Sequence, residues 1–135
     1  MKLIQKIKIY LTVLATLLVI DAVWLNIFSA NLYKENLSGL ISSHTNLLAG
    51  LLFYLIYAFA LSYLIIFDGI KDPKIKVVLS RAFVLGLAAY STFDLTGEAV
   101  FKNWPSIVSI IDISWGSILT VATTFVTLRI YNSKN

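Results

Sequence analysis

Four long apolar runs divide this sequence and constrain its fold more than any other feature. They cover residues 9–28, 47–67, 77–96 and 107–130. Each run has about the 20 residues that a helix needs to cross a bilayer, and polar turn segments separate them. Hydrophobic residues make up 59% of the 135 residues, more than the core of so small a soluble domain could bury. The sequence predicts one all-α integral membrane domain, a four-helix antiparallel bundle.

The lysine and arginine residues indicate how the bundle is oriented. Of the eleven, only Lys34 and Lys102 lie in the first and third connections. The others lie near the two termini and around the second connection, a pattern that the positive-inside rule assigns to the cytoplasm. We therefore predict a multi-pass protein of the cell (inner) membrane, surrounded by lipids, with both termini cytoplasmic. Basic residues at the ends of apolar runs, rather than on one face, argue against a nucleic-acid partner.

The first run and the first connection each have a second interpretation. Three lysines before an apolar run are also typical of a signal peptide, but the run is long and Phe28 occupies a position where cleavage would need a small residue. We expect a retained first helix. The first connection has apolar residues at helical spacing and forms either an interfacial helix over residues 31–42 or an ordinary loop.

The absence of cysteine and the single histidine exclude several kinds of site. Without cysteine the chain has no disulfide, thiolate metal centre or cysteine nucleophile. His44 alone cannot supply a multi-histidine metal centre, and its place in the first connection predicts a solvated residue.

Three aspartates lie inside the predicted spans, where a charge is costly. Asp21, Asp94 and Asp112 belong to the first, third and fourth spans, and all three fall in the outer half of the bilayer. Such residues usually face the interior of a bundle and are functional candidates by default. We predict that they converge on one site, although each could also serve a structural role by accepting hydrogen bonds.

Helical spacing places other polar residues on the same faces as these aspartates. Tyr90, Asp94 and Glu98 recur at intervals of four. In the fourth span a stripe of small and polar residues follows Asp112, which predicts either a packing seam or a polar path. The residues predicted to surround and tune the carboxylates are Tyr54, Tyr57, Tyr90, Trp24, Trp115 and Glu98.

Three short motifs carry a resemblance to a known family. They are Asp21-x-x-Trp24-Leu25, Tyr90-x-x-x-Asp94-Leu95-Thr96 and Asp112-Ile113-x-Trp115-Gly116. Together they resemble the predicted membrane proteins grouped as domain of unknown function 2177, over essentially the whole chain. The resemblance implies a four-span membrane fold, implies that the three aspartates act as a unit, and implies no activity. Gly97 departs from the pattern, which leads us to expect asparagine after Asp94-Leu95-Thr96.

Three functions from different classes fit these residues. The first, our best interpretation, is a proton- or cation-handling site in a small transporter- or channel-like oligomer, because carboxylates in a low dielectric must share protons or bind a cation. The second is a lipid-modifying enzyme that uses Asp21, Asp94 and Asp112 as tentative ligands of a divalent metal or as acid and base. The third is an accessory subunit whose acidic residues pair with a partner membrane protein. The sequence requires no cofactor, and whether the chain is an enzyme stays open.

Overall fold

Four long helices and one short helix make up the part of the chain that the computed structural model describes, residues 1–28, 30–37 and 46–132. The helices are α1 (Leu3–Val23, continued by a π-helical turn at Trp24–Phe28), α2 (Ala30–Asn36), α3 (Leu47–Gly69, with a π-helical turn at Ser62–Ile66), α4 (Ile75–Val100) and α5 (Ser106–Asn132). All except α2 are long and apolar enough to cross a membrane. The predicted all-helical, four-span architecture is confirmed.

Successive long helices run in opposite directions. The Thr12 hydroxyl near the start of α1 lies 2.9 Å from the Tyr131 hydroxyl near the end of α5. The opposite ends of the same two helices meet where the indole of Trp115 reaches Asp21. We call the end of the bundle that holds residues 1–8, 68–74 and 129–132 the terminal end, and the end that holds residues 24–37 and 100–106 the loop end.

The boundaries of the helices follow from local chemistry. Asn46 caps α3, since its side-chain oxygen accepts a hydrogen bond from the amide of Ala49 at 3.1 Å. Between α4 and α5 the chain turns through Asn103, whose φ of 61° lies in the left-handed region that asparagine tolerates better than most residues. Short connections of this kind make α4 and α5 antiparallel neighbours.

The helices α1 and α4 each bury one face. In α1 the buried residues are spaced four apart, Ile9, Val13, Leu17 and Asp21, so Asp21 extends an otherwise apolar buried face. In α4 they are Val78, Ala82, Gly86, Asp94 and Gly97, with the half-buried Tyr90 between Gly86 and Asp94. Large apolar side chains cover the outward faces of all four long helices, as suits a surface solvated by lipid. The fold thus directs two carboxylates inward.

The helices α4 and α5 make the most extensive contact in the bundle. They cross closely at Gly86, where an added Cβ would lie 2.7 Å from the carbonyl oxygen of Gly116 and 2.9 Å from the Cα of Ser117. Small residues at such crossings let helix backbones approach in membranes. This crossing fixes the depth at which residues of α4 and α5 face each other near the loop end.

The observed helices extend past the apolar runs. For example, α1 begins six residues before residue 9, and α4 continues four residues beyond residue 96. In the first connection the structure has a short helix, Ala30–Asn36, and the rest of the predicted interfacial helix after residue 37 lies outside the described residues. His44 also lies outside them.

Candidate functional site

Asp21 is held by hydrogen bonds from two other helices. The hydroxyl of Tyr54 on α3 donates to one carboxylate oxygen, and the indole N–H of Trp115 on α5 donates to the other at 2.9 Å. The side chain is 6% exposed. Because both oxygens accept a bond from a donor that packs beside them, Asp21 is a satisfied buried carboxylate that ties α1, α3 and α5 together.

A stacked pair of indoles orients the donor from α5. The rings of Trp24 and Trp115 lie 4.5 Å apart between centroids and within 10° of parallel. Trp24 is the first residue of the π-helical turn that follows α1. This stack holds the Trp115 ring so that its N–H points at Asp21, and it accounts for both tryptophans of the Asp21-x-x-Trp24 and Asp112-x-x-Trp115 motifs.

Asp94 is in the opposite situation. It is fully buried, with 0% of its surface exposed, and among the described residues neither of its carboxylate oxygens has a hydrogen-bond donor. Its carboxyl group lies near the acidic side chains of Asp112 on α5 and Glu98 on its own helix. Two ionised carboxylates have no hydrogen to donate, so Asp94 and Asp112 can bond to each other only when one of them carries a proton.

A third acidic residue stands beside this pair and is bound to a serine. The indole N–H of Trp104 donates to the Ser109 hydroxyl at 3.0 Å. That hydroxyl has one hydrogen to give, directed at Glu98 (3.2 Å) or at the main-chain oxygen of Asp94 (3.4 Å). Glu98 itself is exposed. These bonds join the end of α4 to the start of α5, and none of them donates to the Asp94 carboxylate.

The three aspartates border one cavity of about 490 Å³ near the loop end. Its remaining walls are apolar or aromatic, formed by Leu25, Leu37, Phe53, Tyr54, Ala89, Tyr90, Phe93, Trp104 and Val108. Among these described lining residues none is basic. Asp94 and Asp112 each lie six residues from the loop end of their helix, about 9 Å at 1.5 Å per residue, so the two carboxyl groups lie at a similar level of the bundle.

A tightly packed layer closes the cavity toward the terminal end. The Tyr90 ring lies so close to Gly116 that a Cβ there would come within 2.1 Å of the ring. Beneath it the Thr120 hydroxyl lies 2.6 Å from that of Tyr57 and donates to the carbonyl oxygen of Gly116 at 2.7 Å. Since Thr120 gives its only hydrogen to Gly116, Tyr57 is the donor of the bond between them.

The polar stripe of α5 is a packing seam below this layer. Its threonines, Thr120, Thr123 and Thr127, are fully buried. The hydroxyls of Thr120 and Thr127 donate to carbonyl oxygens one turn earlier in their own helix, whereas that of Thr123 has no hydrogen-bond partner among the described residues. Side chains that satisfy themselves on their own backbone offer little to a passing ion, so the close packing of this face favours the packing seam over the polar path.

The residues predicted to surround the aspartates fall into two groups. Tyr54, Trp115 and Trp24 serve Asp21 directly or through stacking. Tyr57, Tyr90 and Glu98 do not bond to Asp21, and Tyr57 and Tyr90 instead form the closing layer. Two residues of the site, Ser109 and Trp104, are not among the predicted ones. Ser109 lies one turn before Asp112 on the same face of α5, a position that indicates proximity to the site.

The tentative metal site is not formed as a three-ligand group. Over residues 1–28, 30–37 and 46–132, no three aspartate, glutamate or histidine side chains are grouped closely enough to hold an ion together. Asp21 uses both oxygens for Tyr54 and Trp115. The other two aspartates that border the cavity are Asp94 and Asp112.

A comparison with known families places this geometry in context. The family described as "Predicted membrane protein (DUF2177)" matches residues 6–129. The chain belongs to this family. The match includes all three aspartates, both indoles that serve Asp21 and the Gly116 position under Tyr90, so the whole site lies within the part of the chain that the family shares. The family description states a membrane protein and no activity. The chain has no significant match among curated proteins or among solved structures.

Proposed function

We propose that this membrane protein binds a proton at the Asp94–Asp112 pair and exchanges it for a cation in the adjoining cavity. The observation that carries the proposal is Asp94, which is fully buried, lacks a hydrogen-bond donor among the described residues and faces another carboxylate. An uncompensated buried charge is strongly unfavourable. A shared proton or a bound cation relieves that cost, and the two alternatives exclude each other.

The two halves of the site have different tasks in this proposal. Asp21 already has two donors, so it needs no further partner and positions helices. Asp94 has the opposite requirement, since its carboxylate, which lacks a donor among the described residues, gains a favourable partner when a proton or a cation arrives between it and Asp112. The exchange therefore takes place between the Asp94 and Asp112 carboxyl groups, while Asp21 stays bound to Tyr54 and Trp115.

The charge pattern of the sequence supports an orientation for this exchange. The positive-inside rule assigns the lysine-rich terminal end to the cytoplasmic side of the inner membrane. In this orientation the loop end faces outward. The cavity then has its acidic groups near the outer surface and its closing layer, Tyr90 over Gly116, toward the cytoplasm. Transfer across the membrane would need a second arrangement of this layer or an interface between copies of the chain.

The burial of Asp94 favours this function over an accessory role. Asp94 lines the cavity and is otherwise covered by the chain, so a lysine or arginine of a partner helix would have to enter the cavity to pair with it. A lipid-modifying activity would need a nucleophile or an activated water at the pair. The Ser109 hydroxyl, which lies against the main chain of Asp94, already accepts a bond from Trp104 and gives its hydrogen to Glu98 or to that main chain.

Infrared difference spectroscopy tests the shared proton. We expect the purified protein at neutral pH to show the carbonyl band of a protonated carboxylic acid. The Asp94→Asn and Asp112→Asn variants should each lose that band. The matched control, Asp68→Asn, changes an exposed aspartate at the terminal end and should keep it. A spectrum without the band, or a band that survives Asp94→Asn, would refute the proposal.

Proteoliposomes that contain a pH-sensitive dye extend the test from binding to transport. We expect proton movement that depends on Asp112 and is retained by Asp68→Asn. If the infrared band is present and Asp112→Asn leaves the flux unchanged, the pair holds a proton but the flux does not pass through it, and the exchange across the membrane is refuted.

A further inference from the structure

We infer that the cation accepted by the cavity is a protonated lipophilic amine, with its ammonium group on Asp94 and Asp112 and its hydrocarbon part against the aromatic walls. This inference deepens the proposed function and rests on it. It concerns the chemical class of the cation, which the proton exchange alone does not specify.

The size and donor set of the cavity favour an organic cation. A volume of about 490 Å³ is in the range of cavities that bind small organic molecules, roughly 300–1,000 Å³. Hard inorganic cations such as Ca²⁺ and Mg²⁺ need about six or more oxygen ligands, whereas the described acidic residues offer no group of three. An ammonium group needs only acceptors for its N–H hydrogens, which the two carboxylates of the pair provide.

The walls of the cavity suit the rest of such a molecule. Phe53, Tyr90 and Phe93 present aromatic rings beside the aspartates, and Phe53 lies edge-on to Tyr90 at 6.4 Å between ring centroids. Aromatic faces attract cations and pack against alkyl or aryl groups. A small hydrated ion would leave these apolar walls in contact with water, so the walls match a ligand that is cationic at one end and apolar at the other.

The unpartnered Asp94 oxygens also distinguish between kinds of amine. A primary, secondary or tertiary ammonium has at least one N–H and can donate to Asp94, whereas a quaternary ammonium has none and leaves the buried oxygens without a donor. Charge-assisted hydrogen bonds are about twice as strong as neutral ones. The site therefore prefers an amine that carries a proton over a quaternary analogue of the same shape.

The source of the amine follows from the charge of the lining. Membranes contain amines on phospholipid headgroups, but such a headgroup brings a phosphate together with its ammonium. Among the described lining residues none is basic, and three are carboxylates, so a phosphate would be repelled. A free amine without a phosphate is the ligand that fits.

The exchange balances in protons and charge. An ammonium cation enters from water, its N–H groups bond to the two carboxylates, and the proton that the pair shared leaves to water. The other acidic groups that face the pair from the neighbouring helices are Asp21, Tyr90 and Glu98. None of these acidic groups can supply a positive charge that would neutralise the pair. Binding should therefore release about one proton for each amine bound.

Calorimetry on the full chain in phosphatidylcholine nanodiscs tests the inference. The probes are phenylbutylamine, its neutral analogue phenylbutanol, and its trimethylammonium analogue, each compared with protein-free nanodiscs. We expect saturable binding of the amine, no saturable binding of the alcohol and several-fold weaker binding of the quaternary cation. Titrations in two buffers of different ionisation enthalpy should give the released proton. These measurements use the unaltered protein, so they do not depend on whether a variant folds.

The variants and a lipid competitor complete the test. Asp94→Asn should weaken amine binding by about tenfold or more, as expected for the loss of a charge-assisted bond, and Asp68→Asn should leave it unchanged. Nanodiscs that contain phosphatidylethanolamine should bind the amine as tightly as those without it. Equal binding of amine and alcohol would overturn the inference, and competition by phosphatidylethanolamine would overturn the choice of a free amine in favour of a lipid headgroup. If no amine binds while the infrared band of the shared proton is present, this inference fails and the proposed function stands; if the band is absent, both fail.

Discussion

The close crossing of α4 and α5 at Gly86 allows a quantitative prediction of how Gly86→Ala changes the free energy of unfolding. In Gly86→Ala the new Cβ would lie 2.7 Å from the carbonyl oxygen of Gly116, 2.7 Å from the Thr120 hydroxyl and 2.9 Å from the Cα of Ser117. The hydroxyl can rotate away, but the two main-chain atoms cannot, so α4 and α5 must separate. Overpacking of this kind costs about 1–3 kcal/mol. The higher helix propensity of alanine returns roughly 0.5–1 kcal/mol, which leaves a net loss of about 0–2.5 kcal/mol, or about 1–3 kcal/mol relative to the same substitution at an open helical position.

Gly50 provides a matched control for this substitution. It also lies in a membrane-spanning helix, α3, but an added Cβ at Gly50 would meet no atom within 4 Å. We expect Gly50→Ala to keep or slightly raise the free energy of unfolding, measured by titration of the purified protein from mild detergent into dodecyl sulfate. If Gly86→Ala and Gly50→Ala have the same free energy of unfolding, the close approach of α4 and α5 at this depth is wrong.

Three further substitutions test other contacts by the same unfolding measurement. Trp115→Phe keeps a ring for the stack with Trp24 but removes the N–H that donates to Asp21. It should lower the free energy of unfolding by about 1.5–3 kcal/mol, the contribution of a hydrogen bond to a charged group. An unchanged free energy of unfolding would mean that Asp21 does not depend on this donor. Asn103→Ala should lose about 1 kcal/mol because alanine disfavours a positive φ, whereas Asn103→Gly should not; equal losses would contradict the turn. Asp94→Asn should fold with unchanged or higher stability, since the amide N–H can donate to Asp112 without a bound proton, and a large loss would show that an amide cannot replace the protonated carboxyl group in this pair.

The number and arrangement of the helices could be predicted from the apolar runs because lipid imposes a minimum length on each span. The ends of the helices could not be predicted in the same way. Hydropathy marks the part of a helix that lies in hydrocarbon, but a helix can continue into the interface wherever the residues allow it. This is why α4 extends to Val100, past residue 96, through helix-compatible residues such as Glu98.

The residues of the candidate site could be predicted from the sequence better than the hydrogen bonds between them. Intervals of four placed Tyr90 and Asp94 on one face of α4, and the depth of each aspartate followed from its distance to the end of a run. Spacing within one helix cannot say which side chain of another helix will donate to a carboxylate. The contrast between Asp21, which has two donors, and Asp94, which has none among the described residues, therefore appears only in the three-dimensional structure.

Gly97 shows how a departure from an expected motif can be explained by packing. An added Cβ at Gly97 would lie 3.1 Å from the ring of Trp104, the indole that donates to Ser109. An asparagine at this position would displace the ring. In this chain the glycine and the tryptophan therefore fit together, and a sequence motif alone gives no sign of that match.

The pairing of α4 with α5 also bears on how the chain enters the membrane. These two helices have the lowest mean hydropathy of the four spans, 1.4 and 1.5 against 1.9 and 2.2, and each carries an aspartate in its apolar stretch. Polar residues of this kind oppose the insertion of a single helix by the translocon. Because a short turn joins α4 to α5 and their acidic groups face each other, we expect the two helices to leave the translocon together as a hairpin.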